Sequence, residues 1–396
     1  MKKSNNAIFW FLRKITFPVL WLKYRVCFAF HTSKHIRRPC FILSNHQTVF
    51  DQFVVGTLFK FGINFVASNS IFRHGFQSWL MRILAHPIPY KKGSADTAAV
   101  KNMLSVINQG GAVGIFPSGN RSFFGEECNF RPGLGKLAKK MGVTVVVVQI
   151  RGGYHTKPRW SNSPGKGKMT ASVIREISPQ ELNTFSAEQL DEIFQNELYF
   201  NEFEWNAKEQ IVYKGKRKAE YLEAALFYCP QCQSLDKLTS EGNHFFCLNC
   251  GMRVLINDFG FFEKLHNAGN CPDSILKWSK EQQEYIQLID YAKYLEKPLF
   301  CDEHVILSQA SRFGQKTIGK GAIAFYSNKI TICGKEFPIE ELKDMSIQGI
   351  MRLIIYTDEG EFVADLPKRA NAMKYMICGY YLKNKALGIK NGYYGY

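Results

Sequence analysis

The sequence predicts an α/β protein with a largely parallel sheet flanked by helices, followed by a small cysteine module and a β-rich C-terminal domain with a final helix. Three observations lead to this prediction. Short apolar runs alternate with helical patterns up to about residue 195, two close cysteine pairs follow, and strand and turn signals dominate after residue 320. Near-continuous apolar strands separated by helices are typical of a parallel sheet covered on both faces.

Length and charge narrow the classes of partner. A chain of 396 residues exceeds one ordinary core, and the usual size of about 100 to 200 residues per domain predicts two or three domains. The 51 Lys and Arg outnumber the 34 Asp and Glu, which gives a formal net charge of +17. An excess of this size favours anionic partners: a membrane surface, nucleic acid or a phosphorylated small molecule.

The first 50 residues are strongly basic and contain no acid. Cations interrupt the apolar stretch and Pro18 lies inside it, so the stretch is too broken to span a bilayer. No small-residue cleavage pattern marks a secretory signal. We therefore predict that residues 1–38 form an interfacial membrane-associating segment, with aromatic side chains at headgroup depth and cations against anionic lipid. A plain buried N-terminal helix is the alternative.

Strands and helices alternate in the first half of the chain. One helix is predicted between Ser94 and Gly110, where apolar residues recur at spacings of three and four. Ser186 and Gln189 form a capping-box pattern that predicts the start of another helix. The five predicted strands are CFILS, INFVA, GAVGIFP, VTVVVVQI and MTASVIREI.

The C-terminal part has a different organisation. Two strand-turn-strand patterns have their turns at Ser327-Asn328 and at 358–360, and a final helix is predicted over 368–385. This segment resembles a pleckstrin-homology-type or GRAM-type module by pattern alone, which implies lipid or protein recognition; a domain that only packs on the rest of the chain is the alternative. The predicted boundaries are 1–38 for the interfacial segment, 39–226 for the sheet domain, 227–256 for the cysteine module, 257–319 for a helical connector and 320–396 for the C-terminal domain.

Four of the eleven cysteines have the spacing of a metal site. Cys229 and Cys232 form one C-x2-C pair, Cys247 and Cys250 form another, and fourteen residues separate the pairs. Four thiolates at this spacing can reach one tetrahedral ion and leave no open position, so we predict a structural zinc ribbon rather than chance cysteines. A hairpin of this size is too small to hold together without metal. The remaining cysteines show no pattern, which indicates a reducing, cytosolic compartment.

A histidine and an aspartate follow the first predicted strand, in the stretch CFILSNHQTVFDQF. A neutral imidazole is a suitable general base near pH 7, and a carboxylate on its other nitrogen fixes the tautomer. Residues five apart do not share a face of a helix. Pairing therefore requires His46 in the turn before a helix, with Asp51 one turn inside it. The alternative is a surface histidine with an unrelated aspartate.

A second polar turn follows the strand GAVGIFP, at Gly119, Asn120 and Arg121. In open α/β sheets ligands bind outside the carboxyl ends of the strands. An arginine there can hold a phosphate through two parallel hydrogen bonds. The alternative is an ordinary β-turn with a solvated arginine.

Together these motifs resemble those of the 1-acylglycerol-3-phosphate O-acyltransferase family. They are N-H-Q-x-x-x-D at 45–51, P-x-K-K at 89–92 and F-P-S-G-N-R-S at 116–122, in the family's order and spacing, and the resemblance covers about residues 25–200. It implies an acyltransferase domain over 39–226. It also implies that His46 is the base that deprotonates a glycerol hydroxyl, that Asp51 orients His46, and that Arg121 holds the acceptor phosphate.

Some positions depart from the family pattern. Lys92 stands where the family usually has an arginine, and in the loop that usually reads F-P-E-G-T-R, Ser118 replaces the acid and Asn120 the threonine. The strand VTVVVVQI also lacks the family's prolines. The resemblance implies 1-acylglycerol-3-phosphate as the acceptor, with another polar lipid as the alternative. The predicted substrate-binding residues are Asn45, Lys92, Ser118, Gly119, Asn120 and Arg121.

The implied mechanism is direct transfer without a covalent acyl-enzyme. His46 takes the proton of an acceptor hydroxyl while the oxygen attacks the thioester carbonyl of acyl-CoA or acyl carrier protein. Backbone amides at the helix start near His46 are candidate oxyanion donors. The expected partners are an anionic membrane surface, a lysophospholipid acceptor and the acyl donor. The expected location is the cytoplasmic face of a membrane, bound peripherally.

Two rival functions belong to other classes. A nucleic-acid-binding protein would account for the charge and the zinc ribbon. However, the positive charge is concentrated in an apolar, aromatic N-terminus rather than around the cysteines, so we expect lipid and no nucleic acid as a partner. A non-catalytic lipid-binding relative is suggested by Ser118, and the retained His46, Asp51 and Arg121 argue against it.

Overall fold

The computed structural model describes residues 6–25, 35–68, 86–90, 96–127, 130, 132–311 and 314–389. The chain divides into two compact units. The first unit comprises the chain up to residue 158 together with 165–214, and the second unit comprises 159–164 and the chain from 215 onward. The predicted boundary at 226 lies beyond the end of the first unit, because hydrophobic residues such as Leu222 and Leu226 are buried in the second.

A six-stranded sheet forms the centre of the first unit. Its strands are β1 (Cys40–Ser44), β2 (Asn64–Ser68), β3 (Ile88–Tyr90), β4 (Ala112–Ile115), β5 (Thr144–Arg151) and β6 (Thr170–Ile177). Their order is β3-β2-β4-β1-β5-β6, and each neighbouring pair is parallel except β5 and β6. The largely parallel sheet and its five expected strands are confirmed. Strand β3 was not predicted, because three residues carry too little pattern.

Helices surround this sheet. In the described part of the first unit they are α1 (Asn6–Tyr24), α2 (Asp51–Gly56), α3 (Thr97–Asn108), α4 (Leu134–Met141), α5 (Gly153–Thr156), α6 (Pro179–Thr184), α7 (Ala187–Leu198) and α8 (Glu202–Glu209). Helix α1 continues through Pro18. The capping box of Ser186 and Gln189 is confirmed at the start of α7. Ser94 lies outside the described residues, and the side chain of Asp96 caps α3.

The strands of the sheet supply two separate cores. Phe41 and Leu43 of β1 belong to one hydrophobic cluster, whereas Cys40 and Ile42 belong to another. Successive side chains of a strand point to opposite faces, so both faces of the sheet are buried. Because β1, β4 and β5 are parallel neighbours, the loops that follow them meet at one edge of the sheet. This edge carries the predicted site residues.

Two antiparallel sheets form the second unit. Its strands are β7 (Leu238–Glu241), β8 (His244–Cys247), β9 (Arg253–Ile256), β10 (Phe262–His266), β11 (Phe300–Ser311), β12 (Gly314–Phe325), β13 (Lys329–Ile332), β14 (Lys335–Pro338), β15 (Asp344–Gln348), β16 (Arg352–Thr357) and β17 (Gly360–Asp365). The smaller sheet has the order β10-β9-β8-β7 and the larger has the order β14-β13-β12-β11-β17-β16-β15. Two longer helices accompany them, α9 (Ile275–Leu288) and α10 (Ala372–Ala386).

The structure agrees with the predicted hairpins and corrects the predicted connector. β12 pairs with β13 and β16 with β17 across the expected turns, and α10 matches the expected final helix. Residues 257–319, however, contain β10, β11 and part of β12 besides α9. A bulge between Asp302 and Val305 interrupts the alternation of buried and exposed residues in β11, which concealed this strand. The resemblance to a pleckstrin-homology or GRAM module stays a prediction.

Among the helices of the described residues, none has both the length and the apolar character needed to span a bilayer.

Candidate active site

The turn between β1 and α2 is organised around one buried carboxylate. Asp51 accepts hydrogen bonds from the backbone amides of Gln47 at 2.5 Å and Thr48 at 2.9 Å, and from the Thr48 hydroxyl. Asp51 was expected one turn inside the helix, but it is the first helical residue. Its oxygens point back over the turn and satisfy amides that α2 cannot. The segment QTVFD therefore forms a turn held by its own hydrogen bonds, and this turn fixes the position of the residue before it.

That preceding residue is His46, whose Nδ1 lies 2.8 Å from Oδ2 of Asp51. An ionised carboxylate only accepts, so Nδ1 carries the proton and Nε2 is the basic nitrogen. Asp51 is fully buried, whereas the His46 side chain keeps 19% of its surface exposed. The imidazole stacks on Phe116, with ring centroids 4.2 Å apart. The predicted pairing is thus present in the geometry that general-base chemistry requires.

The polar loop after β4 lies beside this pair. Gly119 has a φ of +67° and its amide donates to the Phe116 carbonyl at 3.0 Å, a backbone conformation that favours glycine. Arg121 is half-buried, and burial lowers the pKa of its guanidinium while the nearby charge of Asp51 opposes that shift. The Ser118 hydroxyl is buried and donates to the Asn120 carbonyl at 3.0 Å. The structure therefore brings the second predicted motif next to the first. Lys92 lies outside the described residues.

Asn45 does not occupy the position expected of a substrate-binding residue. Its side-chain amide donates to the Ile150 carbonyl at 2.8 Å and accepts from the Ile150 amide at 2.7 Å. The residue is fully buried. Both its polar groups thus continue the hydrogen bonding between β1 and β5 beyond the last paired residues, Ser44 and Val148. Asn45 fixes the chain before His46.

The expected oxyanion donors are also occupied. The amides of Gln47 and Thr48, at the start of α2, both point at Asp51. A donor already bonded to a buried carboxylate does not serve a developing oxyanion. The prediction that these amides stabilise the tetrahedral intermediate is therefore corrected.

The loop after β5 contacts a second buried acid that the sequence did not reveal. Glu202, at the start of α8, accepts from the Gly152 amide at 2.9 and 3.1 Å. Burial raises its pKa to about 8, although hydrogen bonds from the Gln47 side chain and nearby backbone amides oppose the shift. The Gln47 side chain also accepts from the Gly153 amide at 3.0 Å, and a Cβ at Gly153 would lie 2.4 Å from that oxygen. The loops after β1 and β5 are thereby joined.

The sequence analysis also missed a cation at this edge, Lys157. It follows α5 and is half-buried, and its pKa is lowered to about 8 by burial, by Arg121 and by Lys23 of α1. Two cations from other elements therefore act on Lys157 at this edge. The signal was available, because Lys157 follows the end of β5 just as Arg121 follows the end of β4. Like charges held together in this way favour an anionic ligand.

The four predicted metal ligands are assembled in the second unit. The sulfur atoms of Cys229, Cys232, Cys247 and Cys250 all lie within 4.8 Å of one another. Two of the separations, Cys229 to Cys250 and Cys232 to Cys247, are 3.8 Å. Zn–S bonds of about 2.3 Å in a tetrahedron place sulfur atoms about 3.8 Å apart. The donor set and its spacing therefore suit one zinc ion with four thiolates.

Comparison with known proteins adds a second kind of observation. Residues 27–151 match the family model described as Acyltransferase, a stretch that contains His46, Asp51 and Arg121. The chain is 30% identical over 118 residues to the 1-acyl-sn-glycerol-3-phosphate acyltransferase BAT2, chloroplastic, of Brassica napus, which covers 29% of this chain and 33% of that protein. The corresponding LPAT1 of Arabidopsis thaliana is 28% identical over 116 residues, which covers 29% and 32%.

More distant similarity extends somewhat further along the chain. The 1-acyl-sn-glycerol-3-phosphate acyltransferase of Saccharomyces cerevisiae is 26% identical over 153 residues, 37% of this chain and 50% of that protein. The chain thus spans about a third of the length of the plant relatives and half of the yeast relative. The crystal structure of the 1-acyl-sn-glycerophosphate acyltransferase PlsC from Thermotoga maritima aligns at 20% identity over 47% of this chain and 79% of that one, with a TM-score of 0.36.

Proposed function

We infer that this chain, whose residues 27–151 match the acyltransferase family model, is a glycerolipid O-acyltransferase. The family resemblance read from the motifs is confirmed by this match and by the three curated relatives. The proposed reaction moves a fatty acyl group from acyl-CoA or acyl carrier protein to the hydroxyl of a lysophospholipid, with 1-acylglycerol-3-phosphate as the first candidate. The observation that carries the proposal is the His46–Asp51 pair beside Arg121.

The chemistry follows from the basic nitrogen of His46. Nε2 takes the proton of the acceptor hydroxyl as its oxygen attacks the thioester carbonyl, and Asp51 stabilises the imidazolium that forms. The new C–O bond forms and the C–S bond breaks when the tetrahedral intermediate collapses. The imidazolium then returns its proton to the leaving thiolate. No residue is acylated, so direct transfer needs only one base.

Acceptor recognition is assigned to the cations at the same edge. Arg121 can hold a phosphate through two hydrogen bonds, and Lys157 adds a point charge. In the acceptor loop, Gly119 and Asn120 form the turn that carries Arg121. A different polar lipid with an anionic headgroup is the alternative acceptor, because Ser118 departs from the family pattern.

Attachment to an anionic membrane surface is the role proposed for α1. Leu20 packs in the core beneath it, and the Tyr24 ring contacts the Phe50 ring beside the His46 turn, with ring centroids 4.5 Å apart. The opposite face of α1 is apolar and exposed at Phe11, Ile15, Val19 and Leu22. Spacings of four, four and three residues keep these side chains on one stripe of the helix. A stripe of this kind, next to lysines, favours an interfacial helix over a plain buried one.

The ion proposed for the four cysteines is a structural zinc. Four thiolates fill a tetrahedral shell, so no coordination position is left for substrate. The chemistry at His46 does not involve it, and its contribution is to folding of the small sheet.

Thioester consumption by the purified chain tests the proposed activity. Release of free thiol would be followed with acyl-CoA and with acyl carrier protein, each with a panel of lysophospholipids and without acceptor. We expect acceptor-dependent thiol release, fastest with a phosphate-bearing lysolipid, and a diacyl product by mass spectrometry. Thiol release that no acceptor accelerates would rule the activity out.

Binding to vesicles tests the membrane proposal separately. The chain should bind vesicles that contain anionic lipid and dissociate in high salt, since each basic residue near the surface contributes about 1 kcal/mol. Leu22→Asp should weaken binding, whereas Leu288→Asp, at an exposed leucine of α9, should not. Equal weakening by both substitutions would contradict the assignment to α1.

A further inference from the structure

Glu127 connects the two halves of the candidate active site. It lies in the loop after β4, and only 8% of its surface is exposed. The His46 amide donates to Oε2 of Glu127 at 3.1 Å. The Ser118 side chain also lies close enough to this carboxyl group to influence its pKa. One side chain therefore contacts both the turn that carries the base and the loop that carries Arg121.

The backbone of His46 is held on both sides by this loop. Its amide contacts Glu127, and its carbonyl accepts from the Ser122 amide at 2.8 Å. Asp51 and the stacked Phe116 fix the imidazole ring, whereas the Glu127 and Ser122 bonds fix the backbone that carries it. The Glu127 bond adds a side-chain hydrogen bond from this loop to the backbone of the turn. Glu127 is itself anchored, because its amide donates to the Phe200 carbonyl at 2.9 Å.

The neighbouring acid does not share this position. Oε1 of Glu126 accepts from the Tyr199 hydroxyl at 2.8 Å, so Glu126 points toward α7 and α8 rather than toward His46. Its carboxylate therefore serves as a matched control for Glu127, one residue away on the same loop.

Burial of the Glu127 carboxyl group is unfavourable for the stability of the fold. Burial raises its pKa to about 8, although the Ser118 side chain and the His46 amide oppose the rise, and the charge of Asp51 adds to it. A group of the same shape without ionisation would avoid this desolvation. Residues that break a folding rule in this way concentrate at functional sites.

We propose that Glu127 is a positioning residue that holds the His46 turn and the Arg121 loop at a fixed position relative to each other. Glu127 thereby supplies, from the far end of the loop, the carboxyl group that position 118 lacks. The proposal rests on the activity proposed above. It accounts for Ser118 in a loop that usually carries an acid there: the serine side chain lies close to the carboxyl group of Glu127 instead.

Four variants test this role. Glu127→Ala should lower kcat by about 10²-fold, as expected when a base moves by about 1 Å, with a smaller change in KM. Glu127→Gln, which can still accept from the His46 amide, should keep kcat within a few-fold of the unsubstituted chain. Ser118→Glu combined with Glu127→Ala should recover at least tenfold of the lost kcat, because a carboxyl group re-enters the same space. Glu126→Gln should leave kcat unchanged.

Hydrogen exchange of the His46 amide provides a readout that does not depend on activity. Glu127→Ala should accelerate this exchange, whereas Glu127→Gln and the double variant should retain protection. If the unsubstituted chain transfers no acyl group but shows this exchange pattern, the proposed activity fails and the connection through Glu127 stands. Equal kcat in Glu127→Ala and the unsubstituted chain would overturn the proposal. So would equal losses in Glu127→Ala and Glu127→Gln, or a double variant without recovery.

Discussion

Each unit of the chain contains a charged cluster with one buried member, and the two clusters differ in which member reaches the surface. In the first unit Asp51 is fully buried, but its partner His46 keeps 19% exposure. In the second unit Lys374 is 2% exposed and lies 2.5 Å from Asp236 and 2.8 Å from Asp302. The first cluster therefore buries its acid and exposes its base, whereas the second encloses its cation between two acids that are partly exposed, Asp236 at 34% and Asp302 at 19%.

This difference separates chemical from structural uses of buried charge. A base must exchange its proton with a ligand, so it must keep an exposed end. A buried lysine is tolerated only where acids neutralise it, and here they come from distant parts of the second unit, the segment before β7 and β11. The four cysteines follow the same closed pattern, since a tetrahedral ion would have no further ligand. Substitutions in the two clusters should therefore affect different properties: activity in the first unit and stability in the second.

Loss of the metal ligands should have the largest effect and should be confined to stability. Structural zinc contributes apparent free energies of about 10 to 16 kcal/mol in small modules. Cys247→Ser should therefore abolish protection from hydrogen exchange in β7 to β9, and metal analysis of the unsubstituted chain should give one zinc per chain. Cys301→Ser, at an exposed cysteine outside the cluster, is the control. A chain without zinc, or an unchanged exchange pattern in Cys247→Ser, would contradict the proposed zinc site in the second unit.

Substitution of the exposed base should have the opposite pattern. His46→Ala should lower kcat by about 10² to 10⁴-fold, the usual contribution of a general base, with little change in unfolding temperature. His35→Ala is a matched control, because His35 also pairs with a carboxylate, Glu176 at 2.6 Å, but is mostly exposed. Steady-state kinetics and thermal unfolding of both variants would check this. Near-normal turnover of His46→Ala would mean that the open cluster is structural after all.

The residues that local sequence could reveal are those whose partners lie nearby in the chain. His46 and Asp51 are five residues apart, and the cysteine ligands come in close pairs, so short motifs predicted both sets. Strands β1 and β5 could be predicted from the sequence, because continuous apolar runs of this length are typical of strands in a sheet covered on both faces.

Residues brought in by tertiary folding could not be identified in this way. Glu127 and Glu202 meet the turn of His46 and Gln47 from 81 residues and more away, and their segments carry no periodic pattern. Asn45 was misassigned for the same reason: its partner Ile150 is 105 residues distant. The fold was predicted better in the first unit than in the second, where the bulge in β11 removed the alternation that marks a strand.

Breaking the closed cluster should destabilise the second unit by an intermediate amount. Lys374→Met leaves Asp236 and Asp302 facing each other without a cation, and removal of one partner of a buried ion pair costs about 3 to 5 kcal/mol. The lower end is expected, because the Asp236 side chain is 34% exposed. Chemical denaturation would measure the loss. Lys277→Met, which breaks the exposed Lys277–Asp273 pair, is the control and should change stability by less than 1 kcal/mol. Equal effects would show that burial does not distinguish the two pairs.

The smallest effect is expected at Lys157, which is intermediate between the open and closed clusters. Its pKa is lowered to about 8 by burial and by the cations Arg121 and Lys23, so it is charged below about pH 8 and neutral above it. An anionic acceptor should therefore bind best below that pH, and its KM should rise as the pH passes through 8. Lys157→Met should raise KM at pH 7 by about fivefold, since a partly exposed charge pair contributes up to about 1 kcal/mol. The same substitution should remove the rise above pH 8 while kcat changes little. Lys168→Met, at an exposed lysine just before β6, is the control. If KM for the phosphate-bearing acceptor showed the same pH dependence with and without Lys157, the three cations at this edge would not form one anion site, and Arg121 would carry acceptor recognition alone.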